Sequence, residues 1–461
     1  MSNENDAVGG KTGISRGAFL GRAAQVASGL AVASFAGSSL ATANAATEHA
    51  GRTVVLRLQN WFSQTDLPAW KIGLNMVKKV YPNIEIKLEY VDYNDTAVKT
   101  IAEAVAGNVP DLIMCSTDHT PALVSGGLLM DLNPFIATDK SVNPSDFYKG
   151  VSTGFYMGGR WWGFPYDNSS FGIYYNKELF DKAGVRYPPP ATRRTPWTWN
   201  EFVTAAKALT RPGARQWGVY WGNPPWSHYV LANFILSAGG RNFALGLGPC
   251  TVNSPQTARA LQFVVDLIHK YKVAPSPQDL GSPTNSVDYF GSGLAAMSLD
   301  GQWDVLTYEK TTKFPWDIGY FPIGKVKLLT TGGSGFAISK STKHPQEAWK
   351  WLAMYTGKDI LAAMIGRTGR SVPARKSAAS SFAEAAKAKG IKYANVFVEQ
   401  DNYTLNDNFS LALYEFYNYW NTALEPIFRT GRGDIGAALA TIEQKTNAVI
   451  KQKQKNVKVH F

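Results

Sequence analysis

The sequence has few of the residue patterns that catalytic sites use. Its six histidines are scattered, and none belongs to a paired metal-ligand motif such as His-Glu-x-x-His. The stretch 332–335 begins like the turn that carries a nucleophilic serine, but Phe336 takes the place of the final glycine. Asp300 and Asp304 could serve as the acid and base of a glycosidase, although carboxylates four residues apart usually lie on an exposed helix face. We therefore predict a protein that is not an enzyme, with no cofactor and no metal.

A second set of residues has the chemistry that binds polyhydroxylated molecules. Flat sugar faces stack on aromatic rings, and sugar hydroxyl groups need carboxylate, amide or guanidinium partners. A buried polar group left unpaired costs roughly 1–3 kcal/mol, which gives such a site its selectivity. The candidate ligand-binding residues are Asn60, Trp61, Asp118, Tyr166, Asp167, Trp226, Trp303, Gly333, Ser334 and Arg370.

Several of these candidates also have a structural interpretation. Trp61 could be an ordinary core side chain, and Asp118 could cap the helix that follows it. Gly333 could serve hinge flexibility instead of a close approach to a ligand, and Arg370 could form a surface salt bridge. Trp226 ends a proline-rich stretch, which predicts an exposed loop and favours ligand contact.

The predicted secondary structure around the first candidates alternates between strand and helix. The first five predicted elements, beginning with a strand, are Val54–Leu58, Leu67–Val80, 84–90, Thr96–Ala106 and Leu112–Cys115. This alternation predicts a parallel sheet covered by helices. Ligands bind beyond the carboxyl ends of the strands in such sheets, which points to Asn60 with Trp61 and to Asp118.

The stretch 158–210 contains a run of ordered motifs. They are Gly163–Pro165, Phe171–Tyr175, Asn176–Lys177, Lys182–Gly184, Pro188–Pro190 and Thr198–Trp199. This order closely resembles the signature of the extracellular solute-binding proteins of ABC sugar importers, the maltose-binding-protein-like family (family 1). Further resemblances extend it over nearly all of 51–461, at Phe290–Met297, Asp300–Trp303, Gly332–Ile338, Pro345–Tyr355 and Gly369–Arg375.

The resemblance implies an α/β protein with the two-lobed periplasmic-binding-protein fold of type II. Each lobe would be a mixed or parallel sheet flanked by helices, and the hinge would be crossed several times. The expected N-terminal lobe is 46–166 with 295–333, and the expected C-terminal lobe is 167–294 with 334–461.

The same resemblance implies the substrate-binding component of an ABC transporter. Such a protein captures a sugar or oligosaccharide by hinge closure and delivers it to the membrane subunits of the permease. Two alternatives remain open. One is a non-sugar solute on the same scaffold, such as a glycerol-phosphate ester or an acidic oligosaccharide. The other is a secreted carbohydrate-active enzyme.

The N-terminus predicts export. Positive residues precede an alanine-rich run, and the small-x-small pattern Ala43-Asn44-Ala45 would end a signal peptide at residues 1–45. Gly17 stands where a twin-arginine signal has its second arginine, which leaves the route open. The mature protein is expected in the periplasm or at the cell surface, as a monomer.

The net charge of +12 is spread along the chain without a long basic block, so we expect no nucleic-acid partner. The sequence has two cysteines, Cys115 and Cys250, and leaves open whether they pair.

Overall fold

The structure, a computed structural model, describes residues 52–64, 66–190, 195–222, 224–280, 288–407, 409–455 and 457. The expected signal peptide, residues 1–45, lies outside this range. The strands are β1 (Val54–Asn60), β2 (Ile84–Tyr90), β3 (Leu112–Ser116), β4 (Tyr156–Met157), β5 (Arg160–Trp161), β6 (Phe164–Pro165), β7 (Phe171–Asn176), β8 (Met297–Gly301), β9 (Trp316–Tyr320), β10 (Leu329–Thr330), β11 (Ser334–Ile338) and β12 (Thr404–Leu405).

Helices cover the faces of the sheets. They are α1 (Leu67–Val80), α2 (Thr96–Val105), α3 (Thr120–Ser125), α4 (Asn133–Thr138), α5 (Lys149–Ser152), α6 (Lys177–Ala183), α7 (Trp199–Leu209), α8 (His228–Ala238), α9 (Pro255–His269), α10 (Pro277–Leu280), α11 (Val305–Thr311), α12 (Pro345–Tyr355), α13 (Lys358–Leu361), α14 (Ser380–Ala388), α15 (Asn395–Gln400), α16 (Leu413–Thr430) and α17 (Ile435–Gln454). Among the described residues, no helix combines the length and apolar content that crossing a membrane requires.

The first lobe is built on a five-stranded sheet with the order β2-β1-β3-β11-β6. β1 pairs in parallel with β2 and β3, and β11 runs antiparallel to its neighbours. The core of this lobe includes Leu56, Leu112 and Phe336, all fully buried. The strands and helices predicted before residue 116 are confirmed, because their periodic apolar faces are the faces that the sheet buries.

The second lobe is built on a three-stranded antiparallel sheet with the order β8-β7-β9. Its core joins this sheet to α8, α9, α16 and α17, with Leu231, Leu261 and Phe416 fully buried. Cys250 lies in this core and Cys115 in that of the first lobe, and both thiols are free.

Strand pairing differs from the expected division of the chain after residue 294. β8 pairs with β7 in the second sheet, with Gly301 opposite Phe171. β11 pairs with β3 in the first sheet, with Phe336 opposite Met114. Short, fully buried strands carry the same apolar pattern in either sheet, so the pattern does not specify the sheet that a strand joins.

Segments that cross between the lobes run side by side. Residues 166–170 lead from β6 to β7, and residues 331–333 lead from β10 to β11. Ser169 and Gly332 exchange backbone hydrogen bonds of 3.2 and 3.3 Å. This pairing holds the two crossings at a fixed distance from each other beneath the space that separates the sheets.

The motifs between residues 158 and 210 mark helix boundaries. The Asn176 side chain accepts a hydrogen bond from the backbone of Leu179 and begins α6, and Gly184, at φ +63°, ends it. Thr198 and Glu201 form a reciprocal capping box at the start of α7. These capping residues therefore fix the ends of α6 and α7 and do not line the cavity between the lobes.

Candidate ligand-binding site

A cavity of about 330 Å³ lies between the two lobes. This volume is in the range of small-molecule sites. Its walls come from both lobes and from the crossing segments, and they are formed by Trp61, Tyr93, Ser116, Thr117, Asp118, Tyr166, Asp167, Ser169, Phe171, Tyr229, Trp303, Thr330, Thr331, Gly332, Gly333, Ser334 and Arg370.

The structure brings eight of the ten sequence candidates together in this cavity. They are Trp61, Asp118, Tyr166, Asp167, Trp303, Gly333, Ser334 and Arg370. They come from loops at the carboxyl ends of β1, β3 and β8, from both crossings, and from the loop before residue 375. Strand-end loops meet at one edge of each sheet, which explains how Trp61 and Trp303, which are far apart in the sequence, share one cavity.

Asn60 is absent from the cavity wall because its amide is used inside the fold. Its Oδ1 accepts a hydrogen bond of 3.0 Å from the backbone N–H of Phe62, and its Nδ2 donates to the Leu58 carbonyl at 3.1 Å. These bonds fix the turn after β1. Asn60 therefore positions the next residue, Trp61, at the carboxyl end of β1.

Trp226 is also absent from the cavity wall, in contrast to the exposed loop expected from its prolines. Only 6% of the residue is exposed, and it lies in the core of the second lobe. Its carbonyl accepts a hydrogen bond of 2.9 Å from Nε1 of Trp420 in α16. The loop therefore folds inward and is held against α16.

Sequence reasoning missed several wall residues, of which Tyr93, Phe171 and Tyr229 are the aromatic ones. Tyr93 lies three residues after β2, so the strand-end rule that found Trp61 would also have found it. Tyr229 lies in the first turn of α8, and no motif in the neighbouring sequence indicates a ligand-binding residue there. Only the packing of the two lobes brings it to the cavity.

Asp118 lies between β3 and α3 and is almost completely buried. Its Oδ2 accepts a hydrogen bond of 3.4 Å from the Tyr93 hydroxyl. Burial raises the pKa of this carboxyl to about 7, an effect that the hydrogen bond from Tyr93 and the nearby phenol of Tyr229 partly offset. Asp118 does not cap α3, whose N-cap position is His119, and no side chain makes a capping bond there.

The ring of Trp61 stands edge-on to two neighbours. It lies 5.2 Å from the Tyr93 ring at 82° and 5.6 Å from the His119 ring at 73°. Such T-shaped contacts hold an aromatic side chain in one orientation. The indole is partly buried, and the rest of it lines the cavity.

Asp167 and Arg370 form the charged floor of the cavity. Asp167 Oδ1 accepts a hydrogen bond of 2.7 Å from the Ser334 backbone, across the two crossings. Burial raises the pKa of Asp167 to about 6, although the nearby Arg370 lowers it. Arg370 also lies 3.5 Å from the Asp66 carboxylate, and its guanidinium is 5.3 Å from the centre of the Trp70 ring. Its side chain is 16% exposed, so this ion pair is not a surface salt bridge.

Trp303 supplies a partly exposed ring from the second lobe. It is 39% exposed, and its ring meets that of Phe171 edge-on at 5.2 Å and 85°. Gly301 lies directly beneath it, since a Cβ there would come within 2.2 Å of the indole. Gly301 and Phe171 thus contact the indole on two sides, and its exposed part remains accessible to a ligand.

Gly333 allows the crossings to approach each other. Its φ of +155° is one that other residues rarely adopt, and an added Cβ would lie 2.6 Å from the Asp167 carbonyl oxygen and 2.4 Å from Val151. The close packing of the two crossings therefore requires glycine at position 333, whether or not a ligand also contacts its backbone.

A serine and a histidine are in contact at the cavity wall. His119 Nδ1 accepts a hydrogen bond of 3.2 Å from the Ser116 backbone, and the Ser116 hydroxyl oxygen lies at the same distance. Burial lowers the pKa of His119 to about 3. That hydroxyl oxygen also accepts hydrogen bonds from Tyr93 and from the Asp118 backbone. Among the described residues, no group of three or more His, Cys, Asp and Glu side chains has the arrangement of a metal site.

A second depression, of about 390 Å³, lies on the second lobe alone. Its lining contains one aromatic ring, Trp199, and two cations, Arg259 and Lys325, but no carboxylate among the described residues. The cavity between the lobes combines six aromatic rings with carboxylates and a guanidinium. It is therefore the candidate ligand-binding site.

Comparison with known proteins agrees with this architecture. A family profile described as bacterial extracellular solute-binding protein matches residues 65–361, more than half of the chain. The maltodextrin-binding protein MdxE of Bacillus subtilis (strain 168) is 24% identical over 312 residues, which span 64% of this chain and 70% of that relative.

Solved structures show the same two-lobed fold. The ABC substrate-binding protein Lmo0181 from Listeria monocytogenes, in complex with cycloalternan, has a TM-score of 0.76 and 24% identity, and the match covers 87% of this chain and 99% of that one. UgpB from Mycobacterium tuberculosis, in complex with glycerophosphocholine, has a TM-score of 0.73 and 20% identity, covering 87% and 100%. With two lobes, a cavity between them and this family match, the chain belongs to the bacterial extracellular solute-binding proteins.

Proposed function

We propose that this protein is the substrate-binding component of an ABC importer, which captures a sugar or oligosaccharide between its lobes and delivers it unchanged to the membrane permease. The observation that carries the proposal is the composition of the cavity. Trp61 and Tyr93 from the first lobe and Trp303 from the second offer aromatic surface, and Asp118 and its neighbours offer hydrogen-bond partners. Stacking surfaces combined with planar polar groups match the two faces of a sugar.

Hinge closure would couple binding to transport. A ligand that touches both lobes stabilises the closed form by its differential affinity for that form. The crossings at Ser169 and Gly332 are where such a movement would concentrate, because the two lobes are joined there. Under this proposal the ligand is released unaltered, residues 1–45 direct export, and the protein acts as a monomer in the periplasm or at the cell surface.

The relatives support a sugar but do not identify it. MdxE is named for maltodextrin and Lmo0181 was solved with cycloalternan, whereas UgpB holds glycerophosphocholine. The charges favour a ligand without a phosphate. Arg370 is the cation among the described wall residues, and it already faces Asp66 and Asp167. A phosphate in this cavity would meet carboxylates and no free cation.

A thermal-shift screen tests the proposal. The purified protein is heated with maltodextrins, other neutral oligosaccharides, monosaccharides, uronates and glycerol phosphoesters. A ligand at a hundred times its Kd stabilises the folded state by about 2.7 kcal/mol, which is readily seen as a higher melting temperature. A selective shift with the sugar recovered unchanged supports the proposal. Stabilisation by glycerol phosphoesters alone, or consumption of the sugar, would contradict it.

A further inference from the structure

One wall of the cavity combines a buried carboxylate with aromatic rings. We call it the Asp118 wall, and it consists of Asp118, Trp61, Tyr93 and Tyr229. The first three residues follow strands of the first lobe, while Tyr229 comes from α8 of the second lobe. The wall is therefore complete only where the two lobes face each other.

The partners of the Asp118 carboxylate are neutral. Tyr93 donates a hydrogen bond at 3.4 Å, and the phenol of Tyr229 lies near it on the cavity wall. Burial raises the pKa of two more phenols, Tyr414 and Tyr417 of α16, and they lie close enough for the charge of Asp118 to raise it further. The neighbouring His119 is uncharged, because burial lowers its pKa to about 3. Within the described residues, the side chains that act on the Asp118 carboxylate are thus neutral phenols.

The cavity has an excess of carboxylates over cations. Asp118 and Asp167 line it, and Asp66 stands behind Arg370. Arg370 is shared between Asp66 and Asp167, so it leaves Asp118 without a positive partner. A carboxylate removed from water is stable only when it is paired or protonated. Among the described residues Asp118 has no cationic partner, so a positive charge on a ligand would complete an ion pair with it.

The rings of the wall favour the same charge. The faces of tryptophan and tyrosine are negative, and they attract ammonium groups that approach them. Trp61 and Tyr93 are fixed 5.2 Å apart at 82°, so they border Asp118 in a defined arrangement. A neutral hydroxyl could also donate to Asp118, but a charged N–H donor forms a hydrogen bond that is roughly twice as strong.

We infer that the ligand carries a cationic nitrogen that binds against Asp118, Trp61 and Tyr93, as an amino sugar would. This inference rests on the proposed function and narrows its substrate class from sugars in general to basic sugars. The nitrogen would take the place of the missing cation, while the remaining hydroxyl groups would face Asp167, Arg370 and the ring of Trp303.

The first experiment compares matched probes by isothermal titration calorimetry at pH 6.5. The pairs are glucosamine with N-acetylglucosamine, and the β-1,4-linked dimer of each. Each pair differs in whether the nitrogen is charged. We expect the amine to bind at least about tenfold more tightly than its acetylated counterpart, because a charge-assisted bond replaces a neutral one. Equal binding, or tighter binding of the acetylated compounds, would overturn the inference.

The second experiment removes the charge from the protein. In Asp118→Asn the amide keeps the size of the carboxyl but not its charge, and the preference for the amine should fall to about one. Asp95→Asn is the matched control, since Asp95 is exposed and makes no capping bond with its side chain. The control should keep the preference. A preference that persists in a folded Asp118→Asn variant would refute the role of this carboxylate.

A third measurement uses the unaltered protein. With a pKa of about 7, Asp118 is mostly protonated at pH 5, and a cation must displace that proton in order to bind. The affinity for the amine should therefore rise about twentyfold between pH 5 and pH 6.5, where the amine itself stays charged. Asp167 also titrates in this range, so the comparison with Asp118→Asn separates the two groups. An affinity that does not change with pH would contradict the inference.

The outcomes also separate this inference from the proposed function. If neutral sugars bind and the amines bind no better, the sugar-binding proposal stands and the basic-sugar inference falls. If no sugar binds, whether neutral or basic, both fall.

Discussion

Replacing Trp303 with alanine would remove a ring that the second lobe offers to the ligand. Trp303 is 39% exposed, and Phe171 and Gly301 hold it in place. Because the exposed part of the ring lines the cavity, we expect the substitution to weaken ligand binding much more than it weakens the fold.

The expected size of the loss follows from the exposed area. With about 250 Å² for the whole side chain, the exposed 39% corresponds to about 100 Å². If the ligand covers all of it, the lost burial is about 2.5 kcal/mol, or about sixtyfold in Kd. If the ligand covers half of it, the loss is about 1.2 kcal/mol, or about eightfold.

The assay is isothermal titration with the tightest-binding sugar from the thermal-shift screen. Trp303→Phe keeps a smaller flat ring and should lose less affinity than Trp303→Ala. Tyr156→Ala is a matched control, because Tyr156 is 46% exposed on the β4–β5 hairpin and does not line the cavity. A folded Trp303→Ala variant whose Kd stays within twofold of the unaltered protein would refute the stacking role.

Three further predictions concern stability. Trp226→Ala should destabilise the fold by about 3–5 kcal/mol in chemical denaturation, because it leaves a cavity in the core. The ligand affinity of the folded variant should stay unchanged. A loss of affinity without destabilisation would contradict the burial of Trp226. Gly333→Ala should cost roughly 1–3 kcal/mol in thermal unfolding, since its Cβ would strike Val151 and the Asp167 carbonyl, and an unchanged melting temperature would contradict this contact. Burial raises the pKa of Asp401 to about 8, so between pH 4 and pH 8 the folded state binds more protons than the unfolded state. The free energy of unfolding should therefore fall as the pH rises through that window, by up to about 1.4 kcal/mol per pH unit for this group. Asp401→Asn should flatten that slope in denaturation curves measured at several pH values, and an unaltered slope would show that Asp401 is ionised in the fold.

Local features of the fold could be predicted from the sequence because local chemistry determines them. The alternation of apolar residues predicted β1 to β3 and the helices between them, and the strand-end rule placed Trp61 and Asp118 at the cavity. The same rule, applied to β2, would have found Tyr93. These successes depend on contacts within one lobe and on segments close together in the chain.

Features that depend on distant segments could not be predicted in this way. The burial of Trp226 depends on α16, which contains Trp420 nearly two hundred residues later. The sheet that β11 joins depends on pairing with β3, which lies more than two hundred residues earlier in the sequence. Tyr229 reaches the cavity only because α8 packs at the edge of the cleft. A pattern of apolar residues records that a side chain is buried, but not which partner buries it.

A crystal structure of the protein with its tightest-binding sugar would show directly whether the cavity between the lobes is the binding site. We expect one intact sugar there, in contact with Asp118 from the first lobe and Trp303 from the second. A sugar in the outer depression beside Trp199, or a cleaved sugar in the cavity, would contradict it.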